Sequence, residues 1–193
     1  RKARELSGWN EKFGKLPPNK GIGVSSLIHA SGSRAGSKEF SGGSAVMRAE
    51  MNGVVSVYVG EAEIGQGSKT VMAQIAAQEL GLKPKDINII MGDTELCPFS
   101  TGTSGSKLTS VLGNAVLFAA KRKAVELCES ISSVYGVGDV YLEDGFVKRQ
   151  NGEAIASFRE ALYACCIKRS GRAFITEGTF EPDADLMDDN GYG

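Results

Sequence analysis

The sequence has 193 residues, of which 41% are hydrophobic and 23% are charged, and its formal net charge is −1. These values are ordinary for a soluble globular chain of one domain or a small pair. The near-neutral charge gives no electrostatic footprint for nucleic acid or for an anionic membrane. No apolar stretch approaches the ~18 residues of a membrane span, and no signal peptide is visible. The default expectation is a cytoplasmic protein without nucleic-acid or membrane partners.

The content of cysteine and histidine argues against a zinc site. The four cysteines form no C-x-x-C pair, and His29 is the one histidine. A reduced protein without structural zinc is therefore expected. His29 lies in the apolar stretch 21–31, which we expect to be a strand, so a structural role for it is favoured over a catalytic one.

The two ends of the sequence differ in charge from the rest. The first twenty residues hold six Lys or Arg against two Glu, and the stretch 181–190 holds five carboxylates. We interpret residues 1–20 as a helix and linker and residues 181–193 as an acidic linker, within one partial domain that covers 1–193. The sequence has no initiator Met and closes on a polar run, so we expect a fragment of a longer protein.

The first half of the chain predicts a hairpin that leads into a glycine-rich segment. Gly- and Ser-rich residues 31–44 predict a loop. Asn52-Gly53 then stands between two alternating runs and predicts a β-hairpin. The second strand of this hairpin runs into GEAEIGQGSKT (60–70), after which the hydrophobic spacing becomes that of a helix.

The second half predicts strands, helices and a small meander. The expected ranges are 86–91 (strand), about 107–133 (helix), 139–155 (meander), 157–168 (helix) and 173–182 (strand). Ser157 with Glu160 three residues later is a capping box for the last helix. The buried face of the long helix is expected to include Val111, Ala115, Phe118, Val125 and Cys128. This mixture of hairpins, meander and strand–helix–strand units indicates an α+β fold.

The segment 60–70 is close to a phosphate-binding loop but fails in its register. A Walker A loop has a lysine directly after its second glycine, whereas Gln66 follows Gly65 here. Gly65 and Gly67 permit unusual backbone angles and close approach of a ligand on both sides of Gln66. We expect Ser68 to cap the following helix, whose first N–H groups would be open to an anion. Gln66 can orient a ligand, but it cannot act as an acid or a base.

A second loop repeats this plan at residues 92–106. It follows a strand and precedes a helix, and every residue from Ser100 to Ser106 is Ser, Thr or Gly. Two such loops at neighbouring helix N-termini would make a polar cradle for a large anionic cofactor. The residues alone leave open the alternative of two exposed loops without a ligand.

Three motifs in the block 60–120 carry a resemblance to a known family. They are EIGQG before a helix that contains QIAAQELG, GDT after a strand with Pro98 four residues beyond the threonine, and GTSGSKLTSVLGNAV leading into the long helix. The block resembles the molybdopterin-binding large subunit of the molybdenum hydroxylases, the family of xanthine dehydrogenase, aldehyde oxidase and aerobic carbon monoxide dehydrogenase. Within this family, GEAEIGQGS is most similar in style to 4-hydroxybenzoyl-CoA reductase.

The resemblance implies that the chain is part of the family's α+β molybdenum cofactor-binding domain. The residues that it implies to line the molybdopterin are Gly65, Gln66, Gly67, Thr103, Ser104, Gly105 and Ser106. Gln66 and Gly105 match positions near the molybdenum, although neither is a direct metal ligand. The hydroxyl residues match positions that bind the pterin or its phosphate, while Leu108 stands where some members have a further serine.

The resemblance also implies that the chemistry belongs to a larger parent. The family's catalytic glutamate lies in a later G-x-G-E segment that this sequence lacks, so no catalytic residue is assigned here. Glu61 and Glu63 are not substitutes, and we expect them to face solvent or neighbouring backbone. The chain alone is expected to be inactive.

The implied parent is a molybdenum-dependent oxidoreductase that hydroxylates or reductively dehydroxylates an aromatic, heterocyclic or aldehyde-type substrate. Its iron–sulfur and FAD groups would lie on other domains or subunits, which together with the rest of the large subunit are the implied partners. A second hypothesis is a non-enzymatic binding or assembly module for another anionic ligand.

Overall fold

The computed structural model of the chain describes residues 1–27, 29 and 41–183. Near the N-terminus, two short helices, α1 (Lys2–Leu6) and α2 (Trp9–Lys12), replace the single helix expected there. They are separated at Gly8, whose φ of 63° is left-handed and interrupts the helical backbone.

The strand predicted at 21–31 is wrong over its described part. Residues 21–27 have no regular secondary structure, and the apolar side chains of Val24 and Leu27 are 78% and 87% exposed. A strand needs a neighbouring strand for its backbone hydrogen bonds, and none pairs with this stretch among the described residues. His29 is exposed. The remainder of the predicted strand, most of the Gly/Ser-rich loop and residues 184–193 lie outside the described residues.

From residue 41 onward the chain alternates strands and helices. The strands are β1 (Gly43–Ala49), β2 (Val55–Val59), β3 (Ile87–Met91), β4 (Val140–Glu143), β5 (Phe146–Arg149), β6 (Ala154–Ser157) and β7 (Phe174–Phe180). The longer helices are α3 (Ser68–Glu79), α4 (Gly113–Tyr135) and α5 (Phe158–Lys168). A short 3-10 turn spans Pro84–Asp86, and a π-helical turn at Leu108–Leu112 leads into α4.

The strands form two sheets, which confirms the predicted α+β fold. The larger sheet has the order β3-β2-β1-β7, and the smaller one is the antiparallel meander β4-β5-β6. In the larger sheet, Val57 of β2 lies opposite Met47 of the antiparallel β1 and Ile89 of the parallel β3. A parallel pair requires a crossover connection, and α3 provides it. The loops 60–67 and 92–106 follow the neighbouring parallel strands β2 and β3. Both loops therefore leave the sheet at the same end of these strands.

Several local predictions are confirmed. The hairpin between β1 and β2 turns at Asn52-Gly53, and α3 ends just before Gly81. In the capping box of α5, the Ser157 hydroxyl accepts from the Glu160 N–H at 3.3 Å, and the Glu160 carboxylate accepts from the Ser157 N–H at 3.0 Å. These features are determined by residues close to one another in sequence, which explains why the sequence alone predicted them correctly.

The buried face of α4 differs in part from the expected one. Phe118 and Val125 are 38% and 57% exposed, whereas Ala115 and Ala119 are fully buried. The small residues face β7 because the helix and the strand come very close. A Cβ on Gly178 of β7 would stand 2.0 Å from the Ala115 carbonyl oxygen and 2.5 Å from the Ala119 nitrogen. This contact anchors the helix that follows the second loop.

A buried lysine also lies on α4. Lys123 is 0% exposed, and its Nζ lies 3.3 Å from Glu126 Oε2 and 5.6 Å from the ring centroid of Phe174. Arg169 of α5 pairs with the other oxygen of Glu126 at 2.9 Å. Two cations therefore share one carboxylate. Burial lowers the pKa of Lys123 to about 8, although Glu126 opposes this shift.

Gly178→Ala tests the close contact between α4 and β7. The added methyl group would collide with helix backbone, which cannot rotate away as a side chain can, so we expect a loss of roughly 1–3 kcal/mol in the free energy of unfolding. Gly138→Ala is the matched control, because nothing lies within 4 Å of its Cβ position. Urea unfolding of both variants would measure the difference, and equal stabilities would contradict the packing described here.

Lys123→Met tests the buried ammonium group. The pKa of Lys123 falls from 10.5 in the unfolded chain to about 8 in the folded one, so between these values the unfolded state holds more protons. The free energy of unfolding should therefore gain a contribution as the pH rises from about 8 to 10.5. Urea unfolding across this range should show that Lys123→Met removes the gain, while the exposed control Lys121→Met keeps it. Identical pH profiles for wild type and Lys123→Met would refute the assignment.

Candidate functional site

Glu63 organises the first loop, which comprises residues 60–67 between β2 and α3. Its Oε1 accepts hydrogen bonds from the N–H groups of Gly65 at 2.8 Å and Gly67 at 3.0 Å. Its Oε2 accepts from the Lys69 N–H at 2.9 Å and from the Ser68 hydroxyl at 3.2 Å. Led by the bond from Lys69, these donors lower the pKa of Glu63 to about 2. The carboxylate therefore stays charged and holds the turn.

Glu63 accepts the N–H groups at the start of α3, which the sequence analysis assigned to a Ser68 cap and to an external anion. Helix α3 begins at Ser68, its N-cap is Gly67 with a φ of 82°, and the Ser68 hydroxyl makes no cap bond. A carboxylate is favoured at a helix N-terminus because it meets unpaired N–H groups and the positive end of the helix dipole. The expected Ser68 cap is wrong, and the N–H groups of Gly67 and Lys69 are not open to an outside anion.

Gln66 is exposed and partly bound within its own loop. Its Oε1 accepts from the Ile64 N–H at 2.8 Å, and its Nε2 donates to Ser68 Oγ at 3.0 Å. An amide has two donors and two lone pairs, so one donor and one lone pair remain for a ligand. Gly65 and Gly67 have φ values of 98° and 82°, and nothing lies within 4 Å of their Cβ positions. Both sides of Gln66 are thus open space.

The second loop, residues 92–106, is shaped by its own hydroxyl groups. Ser100 Oγ accepts from the Gly102 N–H at 3.0 Å. Lys107, directly after the loop, is only 5% exposed, and its Nζ donates to Thr101 Oγ1. Gly102 has a φ of 89° and, like the glycines of the first loop, has nothing within 4 Å of its Cβ position.

The end of the second loop has an unusual backbone and two available hydroxyls. Gly105 and Ser106 have consecutive left-handed φ values of 56° and 57°, just before the π-helical turn at Leu108–Leu112. A non-glycine residue in this region costs of order 1 kcal/mol or more, and such features cluster at functional sites. Ser104 and Ser106 are exposed, and their hydroxyls have no hydrogen-bond partner in the described part of the chain.

The two loops lie side by side. A Cβ on Gly60 would stand 2.1 Å from the Pro98 carbonyl oxygen and 2.8 Å from Ser100 Cβ, so only glycine fits there. Thr103 Oγ1 accepts from the Ala62 N–H at 3.1 Å and donates to the Ala62 carbonyl oxygen at 2.6 Å. Thr103 therefore joins the loops, and its hydroxyl hydrogen is already used.

The two acidic residues of the first loop have opposite environments. Glu63 meets neighbouring backbone, as expected, but Glu61 is only 3% exposed, and its Oε2 has no hydrogen-bond partner among the described residues. Sequence reasoning missed the burial of Glu61 and the tight fit of Gly60, and the fit of Gly60 depends on a loop about forty residues away. The sequence did contain a signal for the role of Glu63. It is an acidic residue shortly before the start of a helix, and the glycines that follow it have N–H groups that a carboxylate can bind.

Two features are absent from residues 1–27, 29 and 41–183. No group of three or more His, Cys, Asp or Glu side chains is placed to hold a metal ion. No helix in these ranges has the length and apolar character needed to cross a membrane.

Comparison with known proteins gives a family match over nearly the whole chain. Residues 2–192 match the family described as molybdopterin cofactor-binding domain. The gamma subunit of the 6-hydroxypseudooxynicotine dehydrogenase complex of Paenarthrobacter nicotinovorans is 36% identical over 138 residues, which cover 66% of this chain and 17% of that protein. The carbon monoxide dehydrogenase large chain of Afipia carboxidovorans is 40% identical over 79 residues, covering 41% of this chain and 10% of that one.

The fold is also similar to that of solved structures. Quinoline 2-oxidoreductase from Pseudomonas putida 86 matches with a TM-score of 0.67 and 25% identity, over 82% of this chain and 22% of that one. The chain thus spans about a fifth or less of the length of the relatives named here.

Glu63→Gln tests the carboxylate that holds the first loop. A neutral amide accepts the same N–H groups more weakly, so at pH 7 the melting temperature should fall by a few degrees. Because folding lowers the pKa of Glu63 from 4.5 to about 2, its contribution is fully present above 4.5 and is lost as the pH falls through 2. Thermal unfolding followed by circular dichroism should show the gap between wild type and variant closing over that range.

Glu95→Gln, at an exposed site in the second loop, is the control and should melt like the wild type throughout. A gap between wild type and Glu63→Gln that stays constant from pH 7 to pH 2 would show that the carboxylate charge is irrelevant to the loop.

Proposed function

Because this chain belongs to the molybdopterin cofactor-binding domain family, we propose that it supplies two cofactor-binding loops to the large subunit of a molybdenum-dependent oxidoreductase. The family match over residues 2–192 is the observation that carries the proposal. The same match favours this function over a module for a different anionic ligand.

The residues present fit a molybdopterin. Gly65, Gly67 and Gly102 each leave open the space that a side chain would fill, so a flat ring system could approach the backbone closely at both loops. Free hydroxyls stand beside this space on Ser104 and Ser106. Glycine-lined backbone with hydroxyl donors suits a cofactor that carries both a pterin ring and a phosphate.

The two loops would divide the contacts between them. Gly65, Gln66 and Gly67 would face the metal end of the cofactor, where the remaining amide donor of Gln66 can bind an oxygen. Glu63 makes the start of α3 unsuitable for a phosphate because like charges repel at this distance.

The phosphate would therefore lie at the second loop. Ser104 and Ser106 would donate hydrogen bonds to it, and Gly105 would bring backbone close to the metal end. Thr103 would act mainly by fixing one loop against the other through Ala62.

When bound, the molybdenum centre would supply the redox chemistry of hydroxylating or reductively dehydroxylating an aromatic, heterocyclic or aldehyde-type substrate. The residues of this chain would bind and orient the cofactor, and we assign none of them a catalytic role. The chain alone would have no turnover.

We further propose that the parent works with iron–sulfur and FAD domains or subunits in the cytoplasm. This agrees with the names of relatives such as a dehydrogenase complex subunit gamma and a nicotine 6-hydroxylase large subunit. A relation to 4-hydroxybenzoyl-CoA reductase remains the narrower proposal.

Gln66→Ala in the complete parent protein tests the role of this loop. Gln66 makes two hydrogen bonds within the chain, one exposed and one partly buried, so its loss should lower stability by about 1 kcal/mol. We expect a larger effect on function, with turnover and molybdenum content falling by about tenfold or more, as for loss of a cofactor contact. Elemental analysis and thermal melting of the same samples would give both values.

Gln74→Ala is the matched control, since Gln74 is an exposed glutamine on α3; it should leave both values unchanged. A Gln66→Ala protein whose turnover falls only in proportion to its folded fraction would remove Gln66 from the cofactor site.

A further inference from the structure

Lys107 is a buried cation without a counter-ion. It is 5% exposed, and its Nζ donates a hydrogen bond to Thr101 Oγ1. No carboxylate forms an ion pair with Lys107 in the described part of the chain. Lys123, the other buried lysine of these residues, has Glu126 at 3.3 Å. Because lysine side chains are rarely buried unless they are paired, the charge of Lys107 points to an anion that the chain does not supply.

Lys107 closes the second half of the second loop into a turn. Its backbone N–H donates to the Ser104 carbonyl oxygen at 3.2 Å, and its ammonium group reaches back to Thr101. The hydroxyl groups of Thr101, Ser104 and Ser106 therefore belong to one turn that the lysine holds. These three residues are exposed, whereas Lys107 is not. A ligand can thus meet the turn through its exposed residues while Lys107 stays buried.

The ammonium group determines what the Thr101 hydroxyl can do. An ammonium group has three donors and no acceptor, so Thr101 Oγ1 is the acceptor of this bond and its hydrogen is left for another partner. No acceptor of that hydrogen lies within the described ranges. Thr103 differs, because its hydroxyl hydrogen is donated to the Ala62 carbonyl oxygen. A hydroxyl that accepts from a cation is a stronger donor, since linked hydrogen bonds polarise one another.

The backbone next to Thr101 leaves room for a ligand. Gly102 has a φ of 89°, and nothing lies within 4 Å of its Cβ position. The start of α3 does not compete for an anion, because Glu63 already accepts its N–H groups. The exposed Thr101 hydroxyl, the open space at Gly102 and the unpaired charge of Lys107 therefore occur together, and a phosphate is the part of the proposed cofactor that suits them.

We propose that Thr101 is a further phosphate-binding residue of the cofactor site and that Lys107 is its positioning residue. The inference rests on the proposed function of the two loops. Lys107 holds Thr101 as a donor and supplies the positive charge that the phosphate balances. In the cofactor-free domain the unpaired buried charge is destabilising. Stability of the empty domain and retention of the cofactor should therefore respond to Lys107 in opposite directions.

The test uses Thr101→Val, Lys107→Met and the double variant in the complete parent protein. Each is made in a host that supplies molybdopterin and in one that does not. Thermal melting of the cofactor-free protein gives the first readout. The second is the rate at which the loaded protein loses pterin, followed by fluorescence of the oxidised pterin. The controls are Thr179→Val on β7 and Lys121→Met on α4, both at exposed positions.

We expect Thr101→Val to lose pterin about tenfold faster than the wild type, because a charge-assisted hydrogen bond is gone. Lys107→Met should lose it severalfold faster, since the Thr101 hydroxyl remains but is no longer polarised. The double variant should match Thr101→Val, because Lys107 acts through Thr101. Thr101→Ser, which keeps the hydroxyl, should restore most of the retention.

We expect the cofactor-free forms of Thr101→Val and Lys107→Met to melt at or above the wild-type temperature, because an exposed hydroxyl and an unpaired buried charge contribute little to stability. The two controls should match the wild type in both readouts. Thr101→Val changes an exposed residue to one of the same shape, so its result stands even if Lys107→Met fails to fold.

Three results would overturn the inference. The first is Thr101→Val and Lys107→Met proteins that retain pterin as long as the wild type. The second is cofactor-free variants that melt well below the wild type, which would make the pair structural. The third is a double variant whose loss rate is the product of the two single effects. A wild-type parent that never holds molybdopterin would instead refute the proposed function, so the two failures are distinguishable.

Discussion

The shape of the first loop depends on one carboxylate that accepts hydrogen bonds from the backbone on both sides of Gln66. Glu63 holds the N–H groups of Gly65 and Gly67 with a single oxygen, and with the other it reaches the first turn of α3. Gln66 is thereby fixed as the residue at the tip of the turn. Without such an acceptor, the flexible backbone of Gly65 and Gly67 would leave the side-chain amide of Gln66 free to sample many directions.

The same carboxylate determines how charge is distributed across the site. Helix N-termini attract anions, and a reading of the two loops as equivalent would place a phosphate at either helix. Glu63 makes the loops unequal, because its carboxylate already occupies N–H groups at the start of α3, whereas the second loop has the exposed hydroxyl groups of Ser104 and Ser106. Two contacts hold these unlike loops together. They are the close fit of Gly60 against the second loop and the pair of hydrogen bonds between the Thr103 hydroxyl and the Ala62 backbone.

How far the sequence could predict this structure depends on the distance over which each feature is determined. The Asn52-Gly53 hairpin and the Ser157–Glu160 capping box are set by residues within a few positions, and both were predicted. The apolar stretch at 21–31 looked like a strand, but a strand also needs an edge to pair with, which local pattern does not reveal. Phe118 and Val125 were placed on the wrong face of α4 because hydrophobicity suggested burial.

Which face of α4 is buried depends on its packing against β7, and the sequence of the helix does not show that partner. A Cβ on Gly178 would lie 2.0 Å from the Ala115 carbonyl oxygen and 2.5 Å from the Ala119 nitrogen, so only glycine fits at this position of β7. The neighbouring loops of the site follow the same logic. The sequence shows the glycines of both loops and the hydroxyl groups of the second loop, but it does not show the hydrogen bonds between Thr103 and Ala62, which lie 41 residues apart.

Glu61 and Glu63 show why the composition of a loop says little about the roles of its members. They are the same residue type two positions apart, yet Glu63 accepts four hydrogen bonds, whereas the buried Oε2 of Glu61 has no partner in the part of the chain that the structure describes. Local geometry explains Glu63 completely, since its four donors lie within six residues. Nothing local explains Glu61, and a chain selected for stability alone would replace it with an apolar residue of similar size.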